Sequence, residues 1–236
     1  MGWVNGGAVA AIQALMDVIT SEGTIVMPAH SGHPGHSAWS NPPVPGHWNQ
    51  IIRNTLPAYD PAITPTVCMG VIPETFRKLP GVRRSAHPRL SFTAWGKHAD
   101  LITGDHGLEY GLGENSPLAR IYDLCGHVLL MGVGFNACTS FHLSEYRTQG
   151  SRKLRAGAPI LKDGKREWVI YDEIEFYDEV FPLIGSEFEG AGKVQKGSVG
   201  SAECRLFSQR EAVDFASEWL SRHKRYALPR LSMIYH

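Results

Sequence analysis

The stretch Val128-Leu129-Leu130-Met131-Gly132-Val133-Gly134 decides the fold class, because four apolar residues lead directly into a turn with two glycines. This pattern predicts a buried strand followed by a tight turn. A helical pattern begins after Thr139 or Ser140, and it carries His142 and Glu145. A strand, a turn and a helix in this order indicate an α/β (α+β) fold, for which we expect one domain with a mixed sheet flanked by helices.

The segments on either side of this stretch show the same alternation of patterns. Residues Ala8–Ile19 carry apolar side chains on one helical face, and Thr24–Pro28 has the composition of a short buried strand. Further along, Asp163-Gly164 between two extended runs predicts a hairpin. Residues Gln209–Arg222 predict the last helix.

The length of the chain sets the expected number of domains. A chain of 236 residues can form one α/β domain with a large core. We therefore predict a single domain over residues 1–222, followed by a basic tail over residues 223–236.

Composition argues against several classes of function. The chain has 23 basic and 23 acidic residues, so no overall charge attracts it to nucleic acid or to an anionic membrane. Its four cysteines show no C-x-x-C spacing, and no segment reaches the ~18 apolar residues of a membrane span. We expect a cytoplasmic protein with reduced thiols and no metal, and a homodimer is compatible with these features.

Three patterns point to other functions, and each is weak. Gly132–Ala137 matches the G-x-G-x-x-A of dinucleotide-binding proteins, but no clear acidic residue follows at the usual distance of about 20 residues. The regularly spaced His30, His33 and His36 have no neighbouring cysteine or carboxylate to complete a metal site. Gly35-His36-Ser37-Ala38 is followed by a tryptophan where a nucleophile elbow has glycine.

His142 is the strongest candidate for catalysis. It follows the carboxyl end of the predicted strand and falls in the first turn of the next helix, where the helix dipole disfavours imidazolium. A neutral imidazole can accept a proton, so we expect His142 to be a general base. Glu145 lies on the same helical face and can orient the ring or balance a cationic substrate. The alternative is that both residues only cap the helix.

Six segments of the chain resemble the signature blocks of the aminoglycoside 3-N-acetyltransferase family. They appear in the order of that family and extend over nearly the whole chain, which makes the resemblance specific. The segments are residues 2–7, 23–28, 39–45, 84–88 with 91–96, 113–118, and 132–134 with 139–145. The resemblance implies an antibiotic acetyltransferase fold.

The resemblance also implies a reaction and its participants. Acetyl-CoA would donate an acetyl group to the 3-amino group of a 2-deoxystreptamine aminoglycoside, which confers antibiotic resistance, and His142 would be the base for that amine. A Gly-Gly turn before the first helix suits the CoA diphosphate, because N–H groups at a helix N-terminus bind anions. The expected cofactor-binding residues are Trp3, Val4, Gly6, Gly7, Ala8, Ser91 and Phe92.

Family members normally begin earlier, with a strand and a helix that line the CoA site. We do not find this pair in the sequence, so the predicted domain lacks it. Two other functions therefore stay open at this point. One is a non-catalytic or truncated homologue that binds CoA or a polyamine, and the less favoured one is an NAD-binding oxidoreductase.

An acidic stretch is the expected binding site for the polycationic aminoglycoside. The residues between Asp172 and Glu189 include several carboxylates and no Lys or Arg. We expect Asp178 and Glu179 to bind substrate, together with His30 from the histidine-rich loop. A solvated acidic face would give the same pattern.

Overall fold

The computed structural model describes residues 4–32 and 45–223. Eight helices are described, at Gly7–Ile19 (α1), Asn49–Thr55 (α2), Val71–Phe76 (α3), Ala99–Thr103 (α4), Pro117–Asp123 (α5), His142–Arg147 (α6), Phe181–Gly190 (α7) and Gln209–Arg222 (α8). Eight strands are described, at Thr24–Pro28 (β1), Arg83–Arg84 (β2), Phe92–Gly96 (β3), His127–Met131 (β4), Lys153–Lys162 (β5), Lys165–Ile174 (β6), Gln195–Val199 (β7) and Ala202–Ser208 (β8).

Contacts along the chain define two compact units. One unit contains Met1–Gly111 together with Arg155–Glu173. The other contains Leu112–Leu154 together with Ile174–His236. Neither unit is a single continuous stretch, because the hairpin of β5 and β6 belongs largely to the first one.

The first unit is built on a three-stranded antiparallel sheet in the order β1-β3-β2. Alternate residues of β1 are buried, as expected for a strand with one covered face. Ile25 and Met27 from this face pack with Ile12 of α1 and Phe76 of α3. The predicted strand and the predicted first helix are therefore confirmed, and together they form one apolar core.

A hairpin completes the first unit. Its strands, β5 and β6, meet at Asp163 and Gly164, whose φ angles are 50° and 74°. Two successive positive φ values are typical of the tight turn that matches the twist of a hairpin. The predicted hairpin is therefore confirmed. Its strands contribute Ala156, Ala158 and Tyr171 to a small buried cluster.

The second unit is built on another antiparallel sheet, in the order β4-β8-β7. Leu130 is the only buried residue of β4, whereas Leu129 is exposed. The predicted strand is therefore confirmed, but the prediction that this apolar run is buried is wrong. The reason is that an antiparallel sheet can keep one face in solvent, so an apolar run does not require two covered faces.

The aromatic residues of the second unit lie beneath this sheet. Phe135, Phe188 and Phe207 form a cluster with Trp219 of α8, and every member of the cluster is buried. The predicted last helix is confirmed, with the bounds expected from the sequence. It begins at Gln209 because the hydroxyl of the preceding serine accepts the N–H of Glu211.

The predicted class, a fold of helices and sheets, is confirmed. The strands differ in arrangement, because they form three small sheets instead of one mixed sheet, and the strand pairs with defined register are antiparallel. Residues 224–236, most of the predicted basic tail, lie outside the described residues, and the domain boundaries stay a prediction. No helix within residues 4–32 or 45–223 is long and apolar enough to span a bilayer.

Candidate active site

His142 is the first residue of α6, which confirms the prediction that it lies in the first turn of this helix. The sequence favours Thr139 or Ser140 as the N-cap of this helix, but that prediction is wrong, because both residues belong to a 3-10 turn that runs directly into the helix. Phe141 occupies the cap position, and no side chain caps this helix. Since β4 lies in an antiparallel sheet, the rule that places ligands at the carboxyl ends of parallel strands does not apply here.

His142 and Glu145 form a hydrogen bond within the first turn of α6. The imidazole Nδ1 lies 2.6 Å from Oε2 of Glu145. The side chain of His142 is 13% exposed and that of Glu145 only 2%. With an ionised carboxylate as the acceptor, this bond requires a proton on Nδ1, and a neutral ring then has Nε2 as its basic nitrogen. This is the tautomer that a general base needs.

The second carboxylate oxygen of Glu145 is also bound. The backbone N–H of Tyr177 donates to Oε1 of Glu145 over 2.7 Å. A buried carboxylate is costly unless its oxygens receive hydrogen bonds, and here each oxygen receives one. The orientation of Glu145 is therefore fixed from two sides.

Two phenyl rings flank the imidazole of His142. The ring centroid of Phe176 lies 4.5 Å from that of His142, and the centroid of Phe181 lies 4.9 Å away in an edge-to-face arrangement. Neither ring was predicted from the sequence. The sequence offers only a weak signal for them, namely that two aromatic residues interrupt the acidic stretch between Asp172 and Glu189.

The predicted substrate-binding carboxylates lie between these two rings in sequence. Asp178 and Glu179 begin a 3-10 turn and are exposed. Within the described chain neither forms an ion pair, whereas Asp172, Glu175 and Glu189 of the same acidic stretch have arginine or lysine partners. Asp178 directly follows the residue that binds Glu145, so these free carboxylates and the His142–Glu145 pair are held by one segment.

The other end of α6 is anchored by Arg147. Its guanidinium binds both carboxylate oxygens of Glu114, at 2.7 and 3.0 Å, and lies over the ring of Tyr122 at 4.1 Å. The Tyr122 hydroxyl in turn donates to Asp214 of α8. A short helix is marginal by itself, so these contacts help to hold α6 in place.

The predicted cofactor-binding residues at the start of the chain form a turn in the first unit. The N–H of Gly7 donates to the carbonyl of Val4 over 2.9 Å, and Gly6 and Gly7 have φ angles of 83° and 59°. Gly6 is the N-cap of α1, and no side chain caps this helix. The first turn at Ala8 can therefore offer its N–H groups to an anionic ligand. Trp3 lies outside the described residues.

Ser91, Phe92 and His30 are brought together in the first unit. Phe92 lies edge-to-face against the ring of His30 at 5.4 Å. Ser91 is fully buried, its hydroxyl donates to the carbonyl of Ala29 at 2.7 Å, and Arg84 Nε donates to it at 3.1 Å. The Ser91 side chain is thus already engaged within the protein. A role in cofactor binding for Ser91 and Phe92 stays a prediction.

A second histidine, His87, is buried near this segment. Its Nδ1 accepts the N–H groups of Arg89 and Leu90, and its Nε2 lies 3.1 Å from the carbonyl of Leu108. Burial, together with the nearby His106, lowers the pKa of His87 well below its ordinary value. His87 is therefore a neutral structural residue, and the sequence analysis did not single it out.

Metal binding finds no support in the part of the chain that the structure describes. No group of three or more His, Cys, Asp or Glu side chains there could hold a metal ion. His33 and His36 lie outside that part.

Comparison with known proteins gives a consistent result over nearly the whole chain. A family model described as aminoglycoside 3-N-acetyltransferase matches residues 1–221. The SPbeta prophage-derived aminoglycoside N(3')-acetyltransferase-like protein YokD of Bacillus subtilis is 53% identical, over 93% of this chain and 81% of that protein. Aminoglycoside N(3)-acetyltransferase VII of Streptomyces paromomycinus is 34% identical over the same two shares.

Comparison with solved structures leads to the same kind of protein as comparison of sequences. The crystal structure of YokD from Bacillus subtilis superimposes with a TM-score of 0.92 at 52% identity, over 94% of this chain and 83% of that one. A complex of AAC-IIIb with CoASH has a TM-score of 0.82 at 29% identity, over 95% and 86%. A complex of AAC-VIa with sisomicin has a TM-score of 0.81 at 28% identity, over 93% and 86%.

Proposed function

Because this chain belongs to the aminoglycoside 3-N-acetyltransferase family, we propose that it transfers an acetyl group from acetyl-CoA to the 3-amino group of a 2-deoxystreptamine aminoglycoside and thereby confers resistance. The family uses acetyl-CoA, and the neighbouring structure of AAC-IIIb is a complex with CoASH. One observation of this structure carries the proposal, namely the 2.6 Å contact between Nδ1 of His142 and Oε2 of Glu145.

His142 is the general base of the proposed reaction. Acetyl-CoA supplies a thioester carbonyl and a sulfur leaving group when it is bound. His142 takes a proton at Nε2 from the attacking amine while the nitrogen lone pair forms the bond to the carbonyl carbon. Glu145 stabilises the resulting imidazolium through Nδ1–H. His142 then returns the proton to the sulfur, which leaves with the electrons of the C–S bond.

The turn before α1 fits the phosphates of CoA. We assign Val4, Gly6, Gly7 and Ala8 to this role, because Gly6 leaves the start of the helix without a side-chain cap. Backbone N–H groups at such a position favour a negatively charged ligand. The role does not require side chains, so the two glycines suit it.

The exposed carboxylates of the second unit fit a polycation. We assign Asp178 and Glu179 to aminoglycoside binding because both are exposed, neither is ion-paired within the described chain, and both belong to the segment that binds Glu145. His30 is a further substrate-binding candidate. The neighbouring structure of AAC-VIa is a sisomicin complex, which supports the same class of substrate.

The proposal is tested by measuring release of the CoA thiol from acetyl-CoA with gentamicin and sisomicin as acceptors. We expect turnover with at least one of them, and NMR of the product should place the acetyl group on the 3-amino nitrogen. NAD should give no thermal stabilisation, whereas acetyl-CoA should, because a ligand raises stability only by binding the native state. A protein that binds acetyl-CoA but releases no thiol with any acceptor would instead be the non-catalytic binding homologue.

A further inference from the structure

We propose that residues 176–181 form a positioning element that holds the His142–Glu145 pair in its reactive arrangement. The inference rests on the proposed function for its kinetic consequences, but its structural content concerns this chain alone. It assigns a role to Phe176, to Phe181 and to the backbone of Tyr177.

The segment first restricts the Glu145 carboxylate. A carboxylate with one free oxygen could rotate and offer either oxygen to the imidazole. Tyr177 N–H occupies Oε1 of Glu145, which leaves Oε2 for Nδ1 of His142. Because the Glu145 side chain is only 2% exposed, water is a poor substitute for this donor. The segment therefore fixes which oxygen holds the ring.

The segment also restricts the imidazole of His142. A hydrogen bond at Nδ1 still allows the ring to tilt about the bond axis. Phe176 and Phe181 restrict that tilt, since their ring centroids lie within 5 Å of that of His142, at 4.5 and 4.9 Å. Phe181 is itself fixed, because it is almost fully buried and packs edge-to-face on Phe141 at 5.4 Å.

The segment is itself tied at both ends. On the side before Phe176, the N–H of Glu175 donates to the carbonyl of Arg152 at 2.8 Å. On the other side, Phe181 begins α7. The six residues from Phe176 to Phe181 thus supply one hydrogen bond and two rings to a single histidine and its partner. Small errors in the position of a reacting group can cost about 10²-fold in rate, so such support matters to catalysis.

The first test does not require activity. The proton between Nδ1 of His142 and Oε2 of Glu145 should give a downfield proton NMR signal, which is assigned by its loss in His142→Ala. We expect Phe176→Ala to broaden or abolish this signal. The control is Phe215→Ala, which removes another partly buried ring of the same unit that packs on Phe188, and it should retain the signal.

The second test addresses the backbone donor. The Tyr177 amide should be protected from hydrogen exchange in the parent and should lose that protection in Glu145→Ala, as read beside a melting curve. This measurement avoids a proline at position 177, where φ is −123° and proline would strain the chain.

The third test is kinetic. In Phe176→Ala, kcat should fall roughly 10- to 100-fold while the KM for acetyl-CoA stays within about threefold. Phe215→Ala should keep kcat within about threefold, although both variants lower the melting temperature.

If the parent shows no turnover, the proposed function fails, and the NMR signal and the hydrogen-exchange measurement still decide the inference. A Phe176→Ala protein that keeps the downfield signal, or an unchanged Tyr177 exchange rate in Glu145→Ala, overturns it.

Discussion

The Nδ1 atom of His142 lies 2.6 Å from Oε2 of Glu145, in a position where the Glu145 side chain is almost completely removed from solvent. The same hydrogen bond therefore serves two purposes. It selects the tautomer in which Nε2 can accept a proton, and it satisfies a buried carboxylate that would otherwise destabilise the fold. Substitutions here should thus affect both rate and stability, and experiments have to separate the two.

We predict that His142→Ala lowers kcat by about 10²–10⁴ while the dissociation constants of both substrates change little, because the amine loses its general base. The variant should also lose about 1–3 kcal/mol of unfolding free energy, since Oε2 of Glu145 is left without its partner. Steady-state kinetics, calorimetric binding and a denaturant titration measure these effects.

Two companion variants separate the effects on rate and stability. Glu145→Gln should lower kcat less than His142→Ala does, because the imidazole of His142 and its Nε2 atom are still present. The double variant should recover stability but not activity. If His142→Ala folds, binds both substrates and turns over within about threefold of the parent, His142 has only a structural role and is not the base.

Neutralising the exposed acidic pair should weaken substrate binding only. Asp178→Asn with Glu179→Gln is expected to raise the KM for gentamicin and leave the affinity for acetyl-CoA unchanged, because several ammonium groups lose nearby carboxylates. The difference should shrink between low and moderate salt, since exposed charges are screened. The matched control neutralises Glu218, an exposed carboxylate of α8 that pairs with Arg222. An acceptor KM that does not respond to salt in either protein would contradict this assignment.

Gly185 should not tolerate a side chain. It lies in α7 beneath the ring of Phe135, and a Cβ added there would overlap that ring. Gly185→Ala should therefore cost about 1–3 kcal/mol through overpacking, despite the better helix propensity of alanine. Gly190→Ala at the end of the same helix is the control, because a Cβ there meets nothing within 4 Å. Equal melting temperatures for the two variants would show that the contact is not tight.

His87 should make stability depend on pH below about 6.5. Its pKa is lowered well below that ordinary value in the folded state, so the unfolded chain binds the proton first. The stabilisation is complete above pH 6.5 and is lost as the pH falls, with a slope that approaches about 1.4 kcal/mol per pH unit. Denaturant titrations between pH 8 and 5 should show this slope, and His87→Asn should flatten it. If the unfolding free energies of the parent and of His87→Asn depend on pH in the same way, a group other than His87 binds the proton.

The sequence predicted local elements better than their arrangement. Asp163-Gly164 contains its own turn chemistry and Gln209–Arg222 its own helical pattern, and both predictions are confirmed. The apolar run at β4 contains no such information about its neighbours. Whether both faces of this strand are covered depends on residues far away in sequence, and even its partner in the sheet, β8, lies more than 70 residues later. The exposure of Leu129 could therefore not be predicted.

In the candidate site, too, the contact between residues close in sequence could be predicted and the contacts between distant residues could not. His142 and Glu145 are three residues apart on a helix, and that spacing alone places them on one face. The contacts of Phe176 with His142 and of the Tyr177 amide with Glu145 join residues that are more than 30 positions apart in sequence. No periodicity links such residues, and a backbone N–H has no signature in the sequence, so this part of the site required the structure.

The division of the chain into interleaved units has a consequence during synthesis. Residues 155–173 belong to the unit that begins with the earliest residues of the chain. Many proteins fold from the amino terminus as they leave the ribosome, but this unit cannot be completed until its hairpin has emerged. At about 5–20 residues per second, residues 1–111 lack the last two strands of their unit for the whole time needed to translate residues 112–173. A nascent chain stalled near residue 150 should therefore be more sensitive to protease in its first 111 residues than one stalled past residue 210.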